Sequence, residues 1–482
     1  MKFMIYYLLL ITLHFSVCKR CSKVEWKSRV IYQILTDRFA QTGDDSKITC
    51  DISKNTYCGG TFRGIQENLD YIYGMGFNAL WISPPLKNKE NSYHGYHNID
   101  LYSINEHFGT SDDLKHLIKE CHKKDIWVIL DAVPNHMSGE LDISTFIPFN
   151  KIEHYHDECD VGEKSSQEEK ENCRIWGMPD LKQENEFVDQ TILSWLNDMI
   201  NYYDFDGIRY ADVSNVPKWF WREFTEMANE YTLGIISSDN ATYIADYQRY
   251  MDGVGDYPLF YAIRKSFCGS MLHLNDYYFN SYKKYINPQY NGIFLGNHDK
   301  PRFLYECHNN QLLRNAIIFT LFYEGIPIFY YGDEQYFNGG GDPQNREIMF
   351  GKRDTSSDAY QLIKKANDIR KSQKIYENNL KQIFVDDYLY AFTRGNVLIV
   401  VSNIKEIERT FTEHNFKEKD ILCNKLKNND CVTVFGGEIK IKMEGEPKIY
   451  VLNNNSDDDK VNKSRVNKIC LYIYLLFLLL LQ

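Results

Sequence analysis

Short β-rich apolar runs alternate with stretches of helical periodicity over most of the chain. The runs lie at 30–35, 78–83, 127–132, 207–211, 233–237, 292–296 and 326–331, and the helical stretches at 65–73, 111–123, 187–203, 219–231 and 312–322. An obscure run near 251–257 brings the count to eight. Strand and helix alternating in this way predict a parallel sheet, and its commonest closed form is a (β/α)8 TIM barrel. The interval 134–183, after the third strand, is too long for a loop and carries two cysteines, which predicts a small inserted subdomain. From 382 the pattern changes to short alternating runs at 388–393, 397–402, 431–435 and 438–442, the mark of an antiparallel β domain. The expected organisation is a barrel over 19–133 and 184–381, the insertion at 134–183, and a β-sandwich over 382–452.

Both ends carry processing patterns. After Lys2 the chain is almost purely apolar to Val17, with Ser16 and Cys18 small enough for a signal-peptidase site, so residues 1–18 are expected to be a signal peptide. At the other end, small and polar residues from Asn453, a polar spacer and an apolar tail over 469–481 match a GPI-anchor signal across 453–482, with Asn455 or Ser456 as the attachment residue. The tail falls short of the roughly 20 residues that cross a bilayer. A membrane is therefore expected as a partner only through the anchor, at the cell surface or wall.

Composition narrows the function. Among 482 residues, 43% are hydrophobic, and 55 Lys and Arg face 66 Asp and Glu, a formal charge of -11 with no basic run longer than a pair. That profile excludes a disordered chain and makes nucleic acid a poor partner. The 36 Tyr suit surfaces that stack on ring-shaped ligands. Of twelve Cys, Cys18 and Cys470 lie in the processed ends. The short spacings favour bridges Cys50–Cys58 and Cys159–Cys173, while Cys423 and Cys431 pair with each other or with more distant partners, and Cys21, Cys121, Cys268 and Cys307 stay open. Asn240-Ala241-Thr242 is a glycosylation sequon.

In a β/α barrel the chemistry sits where strands run into loops. The third strand ends Asp131-Ala132-Val133-Pro134-Asn135-His136, the seventh ends Gly296-Asn297-His298-Asp299, and the loop after the second holds Tyr93-His94-Gly95-Tyr96. With Ile34-Leu35-Thr36-Asp37-Arg38-Phe39-Ala40, Phe108-Gly109-Thr110-Ser111 and Gly341-Asp342-Pro343-Gln344-Asn345-Arg346, these clusters resemble the α-amylase family, glycoside hydrolase family 13, and most closely its secreted fungal members. The resemblance spans nearly the whole mature chain. It implies retaining hydrolysis of α-glucans, which needs a carboxylate nucleophile and a carboxylic acid on opposite sides of the anomeric carbon.

Matched to the family pattern, two of its three carboxylates are missing. The nucleophile motif reads Gly207-Ile208-Arg209-Tyr210-Ala211, with Ala211 at the nucleophile position, and the acid position is Ile235 in Leu233-Gly234-Ile235. Asp299, the family's transition-state stabiliser, is present. Asp212 follows Ala211, so strand alternation aims it at the other face unless a bulge re-aims it. Ser214 and Asn215 stand where the family has a Lys and a His on the leaving-group side. On the other side His94, Tyr96, His136, Arg209, His298, Asp342 and Arg346 match residues that hold sugars.

The resemblance also implies a structural Ca²⁺ held by the side chains of Asn135 and Asp180 and by backbone carbonyls at Glu171 and Asn215, an all-oxygen set. The expected protein is an anchored monomer that binds α-glucan, from starch, glycogen or cell wall, with impaired hydrolysis. The alternatives are an active hydrolase or transglycosylase using displaced carboxylates such as Asp212 or Asp239, and matches kept only for folding, with Arg209 and Asp299 as a buried ion pair.

Overall fold

The computed structural model describes residues 23–453, so the signal-peptide and anchor-signal readings lie outside the described residues. Eight parallel strands form the centre: β1 (Ile31–Ile34), β2 (Ala79–Ile82), β3 (Trp127–Ala132), β4 (Gly207–Tyr210), β5 (Tyr231–Gly234), β6 (Gly253–Val254), β7 (Gly292–Phe294) and β8 (Ile326–Tyr330). Each pairs with its neighbours in chain order and β1 pairs with both β2 and β8, Ile31 facing Ala79 on one side and Ile328 on the other. A parallel bridge between Gly255 and Gly292 joins β6 to β7 and closes the TIM barrel. All the strand residues are buried, because helices cover the outer face and side chains fill the inside.

Sequence periodicity misplaces two elements. The helix expected over 219–231 spans Lys218–Ala228 and stops at Asn229 in the left-handed conformation, which frees Tyr231 to start β5 two residues before the expected run. β6 is only two residues long. Its Gly253 is required by crowding, since a Cβ there would lie 2.0 Å from the Tyr290 carbonyl oxygen. A short hairpin, Leu86–Asn88 with Asn98–Ile104, was not expected and stands after β2.

Between β3 and the helix Glu186–Tyr203 the chain forms the insertion of short 3₁₀ turns and one helix, Gln167–Asn172, with Cys159 joined to Cys173. After the barrel, strands Leu380–Val385, Leu389–Arg394, Val397–Ser402, Lys448–Leu452, Ile421–Asn424 and Cys431–Thr433 form one antiparallel sheet in that spatial order, and Glu406–Phe411 pairs with Ile439–Glu444. Leu389, Leu398, Val400, Phe411, Ile441 and Met443 pack between them. The β domain is fixed to the barrel by Arg394, whose guanidinium donates to the Tyr323 carbonyl at 2.9 Å and the Ile375 carbonyl at 3.0 Å.

Cys50 is bonded to Cys58, Cys268 to Cys307 and Cys423 to Cys431, while Cys121 is a buried free thiol. Among the described residues no helix is long and apolar enough to cross a membrane.

Candidate active site

A cleft of about 530 Å³ opens at the carboxyl ends of the strands, where loops after β2, β3, β4 and β7 meet the insertion. His94, Tyr96, His136, Arg209, His298, Asp299, Asp342 and Arg346 all line it. Asp131, at the end of β3 and not among the expected site residues, organises its floor. The carboxylate is fully buried and accepts from Arg209 Nη1 at 2.7 Å, Trp81 Nε1 at 2.9 Å and the Tyr96 hydroxyl at 2.6 Å. Arg209 therefore pairs with Asp131, and the expected buried pair between Arg209 and Asp299 is not formed. The reason is register: Asp131 on β3 sits directly opposite Arg209 on β4.

Asp299 stands free of that pair, with its side chain 45% exposed. Its Oδ1 lies 3.3 Å from His298 Nε2 and 3.9 Å from Arg346 Nη2. Burial works against the carboxylate, but His298, Arg346, Arg209 and Lys300 outweigh it and hold Asp299 below the usual range, so it is an anion at neutral pH. His298 is pushed down to about 4 by burial despite Asp299, with Arg346 and Arg209 adding to the fall. The neutral ring accepts at Nδ1 from Gln33 Nε2 at 2.9 Å, which leaves its proton on Nε2, facing Asp299. Tyr96 stacks on this ring with centroids 5.1 Å apart, and Arg346 holds Asp342 at 3.1 Å.

Two positions are apolar. Ala211 is 2% exposed, lines the cleft and continues the strand pairing through its N–H to the Ala132 carbonyl at 3.0 Å. Ile235 is half-buried beneath the cleft, in a small space shared with Trp81, Phe294, His298, Asp299 and Ile328. Neither side chain carries or accepts a proton.

The expectation that Asp212 faces away is corrected. β4 ends at Tyr210, and Asp212 adopts φ 50° and ψ 37°, the left-handed conformation that Asp tolerates better than most residues. Leaving the extended backbone breaks the alternation, and Asp212 lines the cleft with Oδ2 3.3 Å from His136 Nε2. Asp239 is not among the lining residues of this cleft.

Trp176 was also missed, since nothing in the insertion's pattern singles it out. It lines the cleft, is 80% exposed and has a left-handed backbone, φ 51°. An indole displayed in this way offers a flat apolar face to a ligand.

The candidate cation ligands converge in part. Asn135 Nδ2 donates to Asp180 Oδ1 at 2.8 Å and to the Asn215 carbonyl at 2.9 Å, while Asn135 Oδ1 is buried without a hydrogen-bond partner. Turning the amide over would aim that orphaned oxygen at a point already faced by two others, so the donor set fits an oxygen-seeking cation. The helix carrying Glu171 lies alongside, with Asn215 Nδ2 donating to the Lys170 carbonyl at 3.2 Å. Asp180 Oδ2 is taken by His156 Nδ1 at 2.7 Å. Burial opposes a charged His156 ring, but its bonds to Asp180 and Glu184 prevail and push it up to about 9. Among the described residues no group of three or more His, Cys, Asp or Glu is arranged for a metal.

Comparison with known proteins agrees with this geometry. The alpha-amylase catalytic-domain family matches residues 33–358. An alpha-amylase of Saccharomycopsis fibuligera is 34% identical over 459 residues, 89% of this chain and 92% of the relative. Among solved structures, an alpha-amylase from Malbranchea cinnamomea superposes with a TM-score of 0.86 at 32% identity, covering 90% of this chain and 98% of that one. An alpha-amylase from Geobacillus thermoleovorans, complexed with acarbose, gives 0.82 at 32% identity, covering 89% and 99%.

Proposed function

Because the chain belongs to the α-amylase family of glycoside hydrolases, we propose that its cleft binds an α-1,4-glucan, of the starch, glycogen or cell-wall kind, with hydrolysis lost or strongly reduced. The observation that carries this reading is the hydrocarbon at Ala211 and Ile235 set beside a polar half-cleft of His94, Tyr96, Arg209, His298, Asp299 and Arg346. Donors and acceptors there are suited to sugar hydroxyls, Trp176 adds an apolar face, and the Geobacillus thermoleovorans relative is complexed with acarbose. Nucleophilic attack and acid catalysis each need an ionisable oxygen, and a methyl or a sec-butyl group has none.

A second reading rests on Asp212, whose carboxylate shares the cleft with Asp299. It would make the protein a weak hydrolase or transglycosylase with a displaced nucleophile. Secretion and a GPI anchor at Asn455 or Ser456 belong to the first reading as well. The four disulfides among the described residues support an oxidising compartment, and release of surface protein by a phosphatidylinositol-specific phospholipase tests the anchor.

Titrating the protein with maltoheptaose, with product analysis after long incubation, separates the readings. Binding without new products is expected, and Trp176→Ala should weaken binding by about tenfold, the roughly 1.4 kcal/mol that truncation of an aromatic contact brings. Turnover that Asp212→Asn and Asp299→Asn each abolish would favour the second reading. Neither binding nor turnover would leave the matched residues as scaffolding.

Ca²⁺, if bound, would be held by Asn135 and Asp180 side chains and the carbonyls of Glu171 and Asn215, joining the insertion to the barrel. It supplies fixed charge for structure and no step of chemistry. Chelation with EDTA is then expected to lower the melting temperature, the loss being about 2.7 kcal/mol when the ion had stood at a hundredfold over its Kd. An unchanged melting curve would mean that the His156–Asp180 pair holds the insertion unaided.

A further inference from the structure

The cleft has a second arm that the sugar-binding residues do not reach. A groove of about 310 Å³, lined by Lys170, Ser214, Ser237, Ser238, Asn240 and Tyr243, meets the main cleft at Ser237, which lines both. Ser214 marks it as the leaving-group side, an orientation that rests on the proposed reading of the cleft. This is also the arm whose residues depart from the family pattern.

Asn240 is the acceptor residue of the sequon and is exposed at the rim of that groove. Its Oδ1 accepts from the backbone N–H groups of Thr242 at 3.1 Å and Tyr243 at 3.2 Å, fixing the amide at the start of the helix Ala241–Tyr247. Among the described residues nothing accepts from its Nδ2, so the nitrogen that would carry a glycan is free while the oxygen holds the side chain in place. Thr242, the other sequon residue, is exposed too. Four disulfides indicate that folding takes place where lipid-linked glycan donors are also used.

We propose that Asn240 is N-glycosylated and that the attached oligosaccharide covers the leaving-group arm, leaving the cleft around Arg209 and Asp299 open on one side. In the step itself, Nδ2 gives up one proton and bonds to the anomeric carbon of the oligosaccharide. The bond from that carbon to the diphosphate of a lipid-linked donor breaks, and the diphosphate leaves with the electron pair. A glucan chain then enters from one side and does not thread through.

The test uses the full chain secreted from a eukaryotic host. Peptide N-glycosidase in heavy-oxygen water converts a glycosylated Asn240 to labelled Asp, read by peptide mass spectrometry, and high occupancy is expected. Thr242→Ala removes the sequon while keeping the Asn240 cap. Acylation of Lys170 by an amine-directed reagent is expected to be severalfold slower in the glycosylated protein than in Thr242→Ala, with exposed Lys365 reacting equally in both. Unmodified Asn240 in folded, secreted protein overturns the proposal, and so does an occupied Asn240 with equal Lys170 rates. Neither readout needs a glucan to bind, so failure of the glucan-binding reading is seen separately.

Discussion

Returning carboxyl groups to both apolar positions, Ala211→Asp with Ile235→Glu, is expected to raise the rate of maltoheptaose cleavage by several powers of ten over that of the starting protein. Ala211 lines the cleft directly after β4, the position from which an Asp side chain would enter it. Glu reaches one atom beyond Ile, and its carboxyl would enter a space lined by Trp81, Phe294 and Ile328 as well as Arg209 and Asp299, where burial and the Asp299 charge favour the protonated form that an acid catalyst needs and Arg209 opposes them. Proton transfer by a positioned acid is worth roughly 10²–10⁴ in rate, and the nucleophile's loss is of the same order or larger. Residues acting as one unit are not additive, so each single variant should remain close to the starting protein. Product analysis by chromatography reads the result. A double variant that is folded, binds maltoheptaose and still fails to cut would place the deficit elsewhere, most directly at Asp212, whose contact with His136 would then obstruct the reacting sugar. Adding Asp212→Gly to the double variant checks that point, because it removes the side chain and its contact, suits the left-handed backbone there and leaves the restored pair in place.

The barrel was legible because it is written in a repeated pattern, while the details that failed depend on single backbone choices. β1, β2, β3 and β8 bury every residue and stand out as apolar runs. β6 is two residues long, and its glycine is needed for a close approach that only three dimensions reveal. The side chains at 94, 136, 209 and 299 were found through motifs tied to strand ends. Asp212 was misplaced because alternation holds only while the strand continues, and one left-handed residue ends it. The Cys268–Cys307 bridge joins two helical segments far apart in sequence, so no short spacing announced it. Trp176 owes its importance to where the insertion displays it, which no local pattern encodes.

The structure also separates two explanations for why the cleft residues are present, through two acidic residues placed differently. Asp131→Asn is expected to destabilise the protein by about 3–5 kcal/mol, because it leaves the Arg209 guanidinium buried without a counter-charge. The Asp131 carboxylate is wholly inaccessible and serves three donors, while Arg209 is itself buried and, among the described residues, has no second carboxylate in bonding contact. Asp299→Asn is expected to shift stability by no more than about 1 kcal/mol, since the side chain is half exposed and its nearest cation-forming neighbours stand at 3.3 and 3.9 Å. In the folded proteins, loss of binding without loss of stability should be confined to the Asp299 variant. Asp299→Asn removes the cleft anion flanked by both His298 and Arg346, and maltoheptaose affinity should fall while the unfolding curve stays in place. Urea midpoints for the two variants, read beside maltoheptaose titrations, give four values from one set of samples. Equal loss of stability in both would mean that Asp299 was kept to hold the barrel, and the glucan-binding reading would lose its support; a stable Asp299→Asn protein with weakened binding assigns that half of the cleft to ligand.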